Sequence, residues 1–418
     1  MPPKKKSSKK NELLFLNKHP FILQTAVDRI YGCIIGSALG DTIGLYTEFL
    51  TKAESARIYA SRRFQLTEPL TESHPDGHRI RLGVWIDQGL LALNRHMCGL
   101  GALVGKVVGD KSYLDNPKGI AARAWVASGH AVAPNGSLMR THPIGVIGIG
   151  LSEQETWDLA ANVGFTTHVD PRCTVSCCVE VALIRGLLRG DIRNEEHVNS
   201  CIERTFSYAK GNQDHMNPAG EDGLMEEELD ARLDRNEFEE HCYAETLEDL
   251  NLDEDRKIGY VYKCLGSAIF LLRSAMRRNT ALDGNDPIHV ASIFEDLTVD
   301  LIMEGGDADT NAAAACALLG AYVGHANLPS HWIRGLAHRQ WLTDKTYRLT
   351  VASGVLPGTL EPKEDEGAEG PRGLMEPSER RQRDARIHKR EAERRAWARV
   401  YQTEWKKRKF EQRRPEEQ

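Results

Sequence analysis

The sequence contains no run of 18 uncharged apolar residues, so no membrane-crossing helix is expected from it. Its N-terminus, MPPKKKSSKK, lacks the apolar core of a secretory signal, which argues for an intracellular protein, cytoplasmic or nuclear. Cysteine is present nine times, an odd number, without a C-x2-C pair. That pattern suggests neither a disulfide framework nor a zinc site, and the densest group, Cys173, Cys177 and Cys178, fits ordinary helix packing. The alternation of apolar and polar residues that marks half-buried strands is almost absent. Glycine and proline are unremarkable in number, so neither a fibrous nor a low-complexity chain is indicated.

What is present is helical periodicity. VDRIYGCIIGSALGDTIGLYTEFL, CTVSCCVEVALIRGLLRG, IGYVYKCLGSAIFLLRSAMRR and TNAAAACALLGAYVG carry apolar residues three to four apart over more than ten positions. The expected fold is all-α, a tightly packed bundle. Gly32, Gly36, Gly40 and Gly44 recur every four residues and so share one face. Glycine weakens an isolated helix by about 1 kcal/mol relative to alanine, so this spacing points to close helix contact.

At 418 residues and 41% hydrophobic content the chain can bury one large core or two ordinary ones. Residues 1–20 read as a basic, disordered N-terminus whose KKKSSKK also fits a nuclear-import signal. The helical domain is expected over 21–358, with 211–256 as an acidic surface insertion. Residues 359–418 form a charged tail, an exposed helix or a disordered segment. In that tail Trp397, Tyr401 and Trp405 share a helical face beside KKRK, which suits docking of nucleic acid or a partner, or packing of the stripe on its own domain.

The chemistry concentrates in EGGDADTNAAAACALLGAYVG, residues 304–324. Gly305 and Gly306 permit a tight turn, and Asp309, Thr310 or Asn311 can cap the alanine-rich helix that follows. Capping needs only one such residue. Asp307, Asp309 and Thr310 together supply hard oxygen ligands at a helix start, which suits magnesium or manganese, and the alanines let that helix lie deep among its neighbours. Read from the residues alone, an N-cap with an incidental second aspartate and a metal site stand about level.

Four stretches in order over residues 28–325 resemble the ADP-ribosylglycohydrolase family, the all-helical enzymes that include dinitrogenase reductase-activating glycohydrolase. GGDADTNAAAACALLGA is similar to that family's carboxyl-terminal metal motif. GSALGDTIGLYTE resembles its first helix and following loop, with Glu48 at the catalytic or metal-proximal acid. PNGSLMRTHPIG resembles the loop that cradles ADP-ribose, with Asn135, Gly136 and Ser137 at matching places, and TTHVDP resembles the segment whose histidine, here His168, lies beside the ribose. The resemblance implies a metal-dependent hydrolase acting on ADP-ribose or ADP-ribosylated protein. Glu48 is then catalytic, Asn135, Gly136, Ser137, His168 and Gly306 bind substrate, and Asp307, Asp309 and Thr310 hold Mg2+ or Mn2+. Each match also has a plainer reading: Asp41 and Glu48 satisfy helix ends, a role favoured for Asp41, Asn-Gly-Ser closes a turn, and His168 precedes a helix start.

One family feature is missing. A second metal motif, Trp-Thr-Asp-Asp-Thr, is expected between Glu48 and Asn135, and no such sequence occurs. Trp85-Ile86-Asp87-Gln88 is either its remnant, or Arg81, Leu82, Trp85 and Gly89 belong to the following family helix and a segment is lost between His78 and Arg81. Two divalent ions need about a dozen oxygen positions, so one ion at most is expected here unless other residues substitute. The chain is therefore either an active hydrolase, a catalytically inactive ADP-ribose binder, a purely structural relative, or an incomplete gene product.

Overall fold

The computed structural model describes residues 12–66, 100–281 and 287–360, with parts of 378–396. Trp85, Asp87 and the surrounding stretch lie outside the described residues, as do Trp397, Tyr401 and Trp405. The chain divides into two compact units, Met1–Gly77 with Gly101–Leu360, and His78–Leu100 with Glu361–Gln418. In the second unit residues 381–389 are helical.

Among the described residues the larger unit is all-α, as expected, built on nine longer helices: α1 (Pro20–Gly44), α2 (Pro117–Val126), α3 (Glu153–Gly164), α4 (Pro171–Arg189), α5 (Glu195–Lys210), α6 (Val261–Ala281), α7 (Pro287–Ile302), α8 (Ala308–Val323) and α9 (Arg339–Ala352). No strand occurs among the described residues, only an isolated antiparallel bridge between Pro134 and Tyr260. No described helix is long and apolar enough to cross a membrane.

Local chemistry fixes the helix boundaries. Proline at the first position and a side-chain acceptor just before it start α1 at His19 and α4 at Asp170. Gly190 ends α4 in the left-handed region, at φ 73°. Cys173, Cys177 and Cys178 are buried free thiols on α4, the packing role their spacing suggests.

The middle of the unit is α8, packed by α1, α4, α6 and α7. Its side chains from Asn311 to Ala321 are all buried, so no face is left for solvent, and only small residues let so many neighbours approach. The closest neighbour is α1. A Cβ placed on Gly32 would lie 2.2 Å from Gly320 O, on Gly36 2.6 Å from Cys316 O, on Gly40 2.2 Å from Ala312 O, and on Gly44 2.3 Å from Asp309 Cα. The two backbones touch along their whole shared length, and the four-residue glycine spacing is its cause. Dispersion and Cα–H···O attraction between backbones this close offset the poor helix propensity of glycine.

Two segments are more ordered than composition suggests. Residues 14–17, within the stretch expected to be disordered, form a 3-10 helix that buries Leu16. The acidic insertion at 211–256 folds into short helices at Gln213–Met216, Glu226–Arg232 and Arg235–Cys242. It buries Met216, Leu233, Phe238, Cys242 and Leu250, and the Phe238 ring meets Tyr262 of α6 edge-on at 5.6 Å. Its acidic residues mark the outer face of a packed element rather than a solvated excursion.

The α1–α8 contact has a direct test. Gly40→Ala should destabilise the protein by about 1–3 kcal/mol or more through overpacking against backbone that cannot move aside. Gly164→Ala, where an added Cβ meets nothing within 4 Å, should leave stability unchanged or raise it by up to about 1 kcal/mol. Thermal melts of the two variants beside the parent decide the matter; equal melting points would remove the glycine contact as a determinant of stability.

Candidate metal centre

The close approach of α1 to α8 sets two loops side by side. After Gly44 the chain turns through Tyr46–Leu50, and it is pinned there by Thr47 Oγ1 donating to Ile302 O at 2.6 Å. Phe49 N donates to Gly306 O at 2.7 Å, and Gly306 N donates back to Leu50 O at 2.8 Å. Gly305 and Gly306 both have positive φ, 75° and 70°. A Cβ on the first would sit 2.1 Å from Leu50 O and on the second 2.1 Å from Leu252 O. Both positions therefore require glycine for conformation and for space. The result carries Glu48 to the start of α8.

Asp307 occupies the N-cap position of α8 yet makes no side-chain capping bond. Its Oδ2 instead accepts from Asn135 Nδ2 at 2.8 Å. Asp309 Oδ1 accepts from the N–H of Thr310 at 2.7 Å. Glu48, Asp307 and Asp309 each offer a carboxylate oxygen within 4.8 Å of the others, all partly buried. At that separation and an effective dielectric near 20, each ionised pair repels by about 3 kcal/mol.

No described lysine or arginine forms an ion pair with these three. Glu304, three residues upstream, does have one, with Lys52 Nζ at 3.0 Å. The strain shows in the acid strengths. Burial, then the charges of Asp307 and Asp41, push the Glu48 carboxyl up to about 7. Burial, then Asp307, push Asp41 up to about 6. Asp309 is also raised, by burial and then by Asp307, Glu48 and Asp41. A cluster of hard oxygen donors with uncompensated charge fits a divalent cation.

Asp41 is the residue that sequence reasoning misassigned. It reads there as a helix-end group, whereas the structure buries its carboxyl in the field of Asp307 and Glu48.

The second wall comes from the loop before α3. Asn135 N donates to Gly259 O at 2.9 Å, and Gly259 lies beside the aspartate, where an added Cβ would be 3.4 Å from Asp307 Oδ2. Gly136 lies against the His168 ring, its added Cβ 3.4 Å from Nε2. Arg140 fastens the loop, donating to Gly136 O at 2.8 Å and to Thr167 Oγ1. Thr167 Oγ1 in turn meets His168 Nδ1 at 2.7 Å. His168 Nε2 is buried without a hydrogen-bond partner. Burial, then the Arg140 charge, lower its pKa to about 3, so the ring is neutral.

The structure thus brings Glu48, Asp307, Asp309 and Asn135 together, with Gly136 and His168 forming one wall. It turns two expected residues elsewhere. The Ser137 hydroxyl is fully buried against Cys173 and Cys177, and the Thr310 hydroxyl is directed at Met139 Sδ, 3.8 Å away. Gly306 serves the turn described above. Arg140 and Gly259 were not anticipated; a lone arginine in the apolar run after Asn-Gly-Ser was the only sequence cue.

The raised carboxyls predict a pH dependence. Asp41 and Glu48 bind protons more readily folded than unfolded, so the stability they lend is complete below about pH 4 and is lost as pH rises through 6 to 7. With a chelator present, the melting point of Glu48→Gln should gain on the parent across that interval. A constant difference at every pH would show that Glu48 ionises normally.

A family model described as ADP-ribosylglycohydrolase matches residues 23–356. An uncharacterised protein of Archaeoglobus fulgidus is 24% identical over 351 residues, covering 77% of this chain and 96% of its own. A solved structure described as an ADP-ribosylglycohydrolase-related protein complex aligns at 22% identity with a TM-score of 0.43, covering 79% of this chain and 99% of that one.

Proposed function

Because the chain belongs to the ADP-ribosylglycohydrolase family, and is thereby a protein of glycohydrolase type, we propose that it cleaves the glycosidic bond between ADP-ribose and a protein side chain or related group. The observation that carries this reading is the convergence of Glu48, Asp307 and Asp309 within 4.8 Å, beside the Asn135–Gly136 loop and a buried imidazole.

In this reading Asp307, Asp309 and Glu48 hold Mg2+ or Mn2+. When bound, the ion supplies positive charge that orients the ribose hydroxyls and acidifies water. Asn135 fixes the rotamer of Asp307 through its amide N–H. The neutral His168 offers Nε2, its one unpartnered ring atom, to a ribose hydroxyl. The Asn135 N–H is taken by Gly259 O, which leaves that of Gly136 to suit the pyrophosphate. Glu48 accepts a proton from the attacking water while the bond from C1 to the acceptor atom breaks, through an oxocarbenium-like transition state. The leaving group takes up a proton from solvent water as it departs, and Glu48 returns the one it accepted to solvent, so that water's hydroxyl ends on C1 and one proton on the acceptor.

A second reading is favoured by a specific observation, the absence of Trp-Thr-Asp-Asp-Thr from the sequence. A chain holding a single ion would bind ADP-ribose without turning it over.

The deciding experiment measures release of ADP-ribose from arginine- and serine-linked peptides with Mg2+, Mn2+ or chelator, alongside calorimetric titration of the same metals. Asp307→Ala and Asp309→Ala should each abolish metal binding, and Glu48→Gln should slow release by about 100-fold or more. Unchanged metal affinity in both aspartate variants would refute the placement. Metal and ADP-ribose binding without release from either linkage would establish the non-hydrolytic binder instead.

A further inference from the structure

A second polar cavity lies at the opposite ends of α1 and α8. Asp309 and Tyr322 bracket most of α8, so this cavity is about 20 Å from the acidic cluster along the helix. It encloses about 390 Å3 and is lined by Arg29, Arg193, Asn279 and Tyr322, with Ile192 and Ile293 supplying apolar wall.

Its polar groups are donors with hydrogens to spare. Arg29 gives one N–H to Leu187 O at 2.6 Å, and Arg193 gives Nε to Gly190 O at 2.7 Å. Each guanidinium carries five N–H groups, so most remain. Asn279 Nδ2 donates to the Tyr322 hydroxyl at 3.2 Å, which leaves the phenolic hydrogen free to donate. Among the described residues no carboxylate lines the cavity, and neither arginine has an ion-pair partner. Asp28, next to Arg29, is engaged by the N–H of Ala326 at 3.0 Å, and Asp191 is held by Arg189 at 3.1 Å.

The plainer role for both arginines is to satisfy carbonyls at the end of α4. That role leaves an excess of charge. The C-termini of α4 and α8 each contribute about half a negative charge, against two full positive charges. Burial lowers the pKa of the Arg29 guanidinium, and the neighbouring Tyr322 and Asp28 offset that only in part.

We propose that this cavity binds a small organic phosphate of up to nucleotide size, at a site separate from Glu48, Asp307 and Asp309. The phosphate meets Arg29, Arg193 and the Tyr322 hydroxyl, and the body of the ligand lies against Ile192 and Ile293. The volume falls within the range of small-molecule sites.

The test is calorimetric titration of the full chain with AMP, and separately with inorganic pyrophosphate, in chelator so that no metal recruits either probe to the acidic cluster. Saturable binding is expected with at least one probe. It should weaken by about tenfold or more in Arg193→Gln and in Asn279→Asp, and persist in Asn135→Ala. Arg193 is exposed and Asn279→Asp is nearly isosteric, so both variants should fold, as an unchanged melting point would verify. Absence of saturable binding to either probe overturns the proposal. So does binding lost in Asn135→Ala and kept in Arg193→Gln, which would place the ligand at the acidic cluster.

Discussion

Helices α1 and α8 meet backbone against backbone at Gly32, Gly36, Gly40 and Gly44, and that distance determines where their ends emerge. Were the two helices held apart by ordinary side chains, Glu48 and Asp309 would be separated by the same additional ångströms, and three carboxylates could not converge within 4.8 Å. The Gly305–Gly306 turn and the anchoring of Thr47 to Ile302 refine the placement. They act only because the seam has already brought the two ends together. Fold and site share one determinant, the lack of a Cβ at four positions.

The acidic end illustrates how a fold tolerates an unfavourable arrangement for chemical use. Some charges nearby do find partners: Lys52 bridges Glu304 and Glu248, and Arg172 pairs with Asp170. The cluster of Asp41, Glu48, Asp307 and Asp309 sets like charges facing one another, and Asp41, Glu48 and Asp309 respond by holding protons at pH values where they would ordinarily be ionised. Asn135, the one partner that Asp307 has from the adjoining wall, is neutral. Stability and site chemistry pull in opposite directions here, as is common where function requires a local violation of folding rules.

Much of this was readable from the residues. Helical periodicity gave the all-α class, and the four-residue glycine spacing gave the close contact without naming its partner. The choice of α8 was not legible, because periodicity marks a face and not what faces it. Asp307, Asp309 and Glu48 were found through motif and resemblance, since their spacing along the chain says nothing of proximity in space. Asp41 was hidden for the opposite reason: a carboxylate near a helix end has an ordinary explanation that only burial removes. Ser137 and Thr310 were carried across by position alone. A hydroxyl can match a motif and still rotate toward the interior, to Cys173 and Cys177 in one case and Met139 in the other. The acidic insertion misled because composition records the charges on an outer face and overlooks the fewer apolar residues, such as Leu233 and Phe238, that fasten it.

The seam also imposes an order on synthesis. Thr47 and its anchor Ile302 are 255 positions apart, so a ribosome that has released α1 must translate most of the chain before α8 can dock. Throughout that time α1 offers a grooved, apolar flank with nothing to fill it, the kind of surface that chaperones hold and that aggregates otherwise. Until Asp309 has left the exit tunnel the acidic cluster cannot assemble. A translation product cut short before α8 would lack Asp307 and Asp309 and leave α1 uncovered, whereas one that extends through α8 gains the seam and the acidic cluster together.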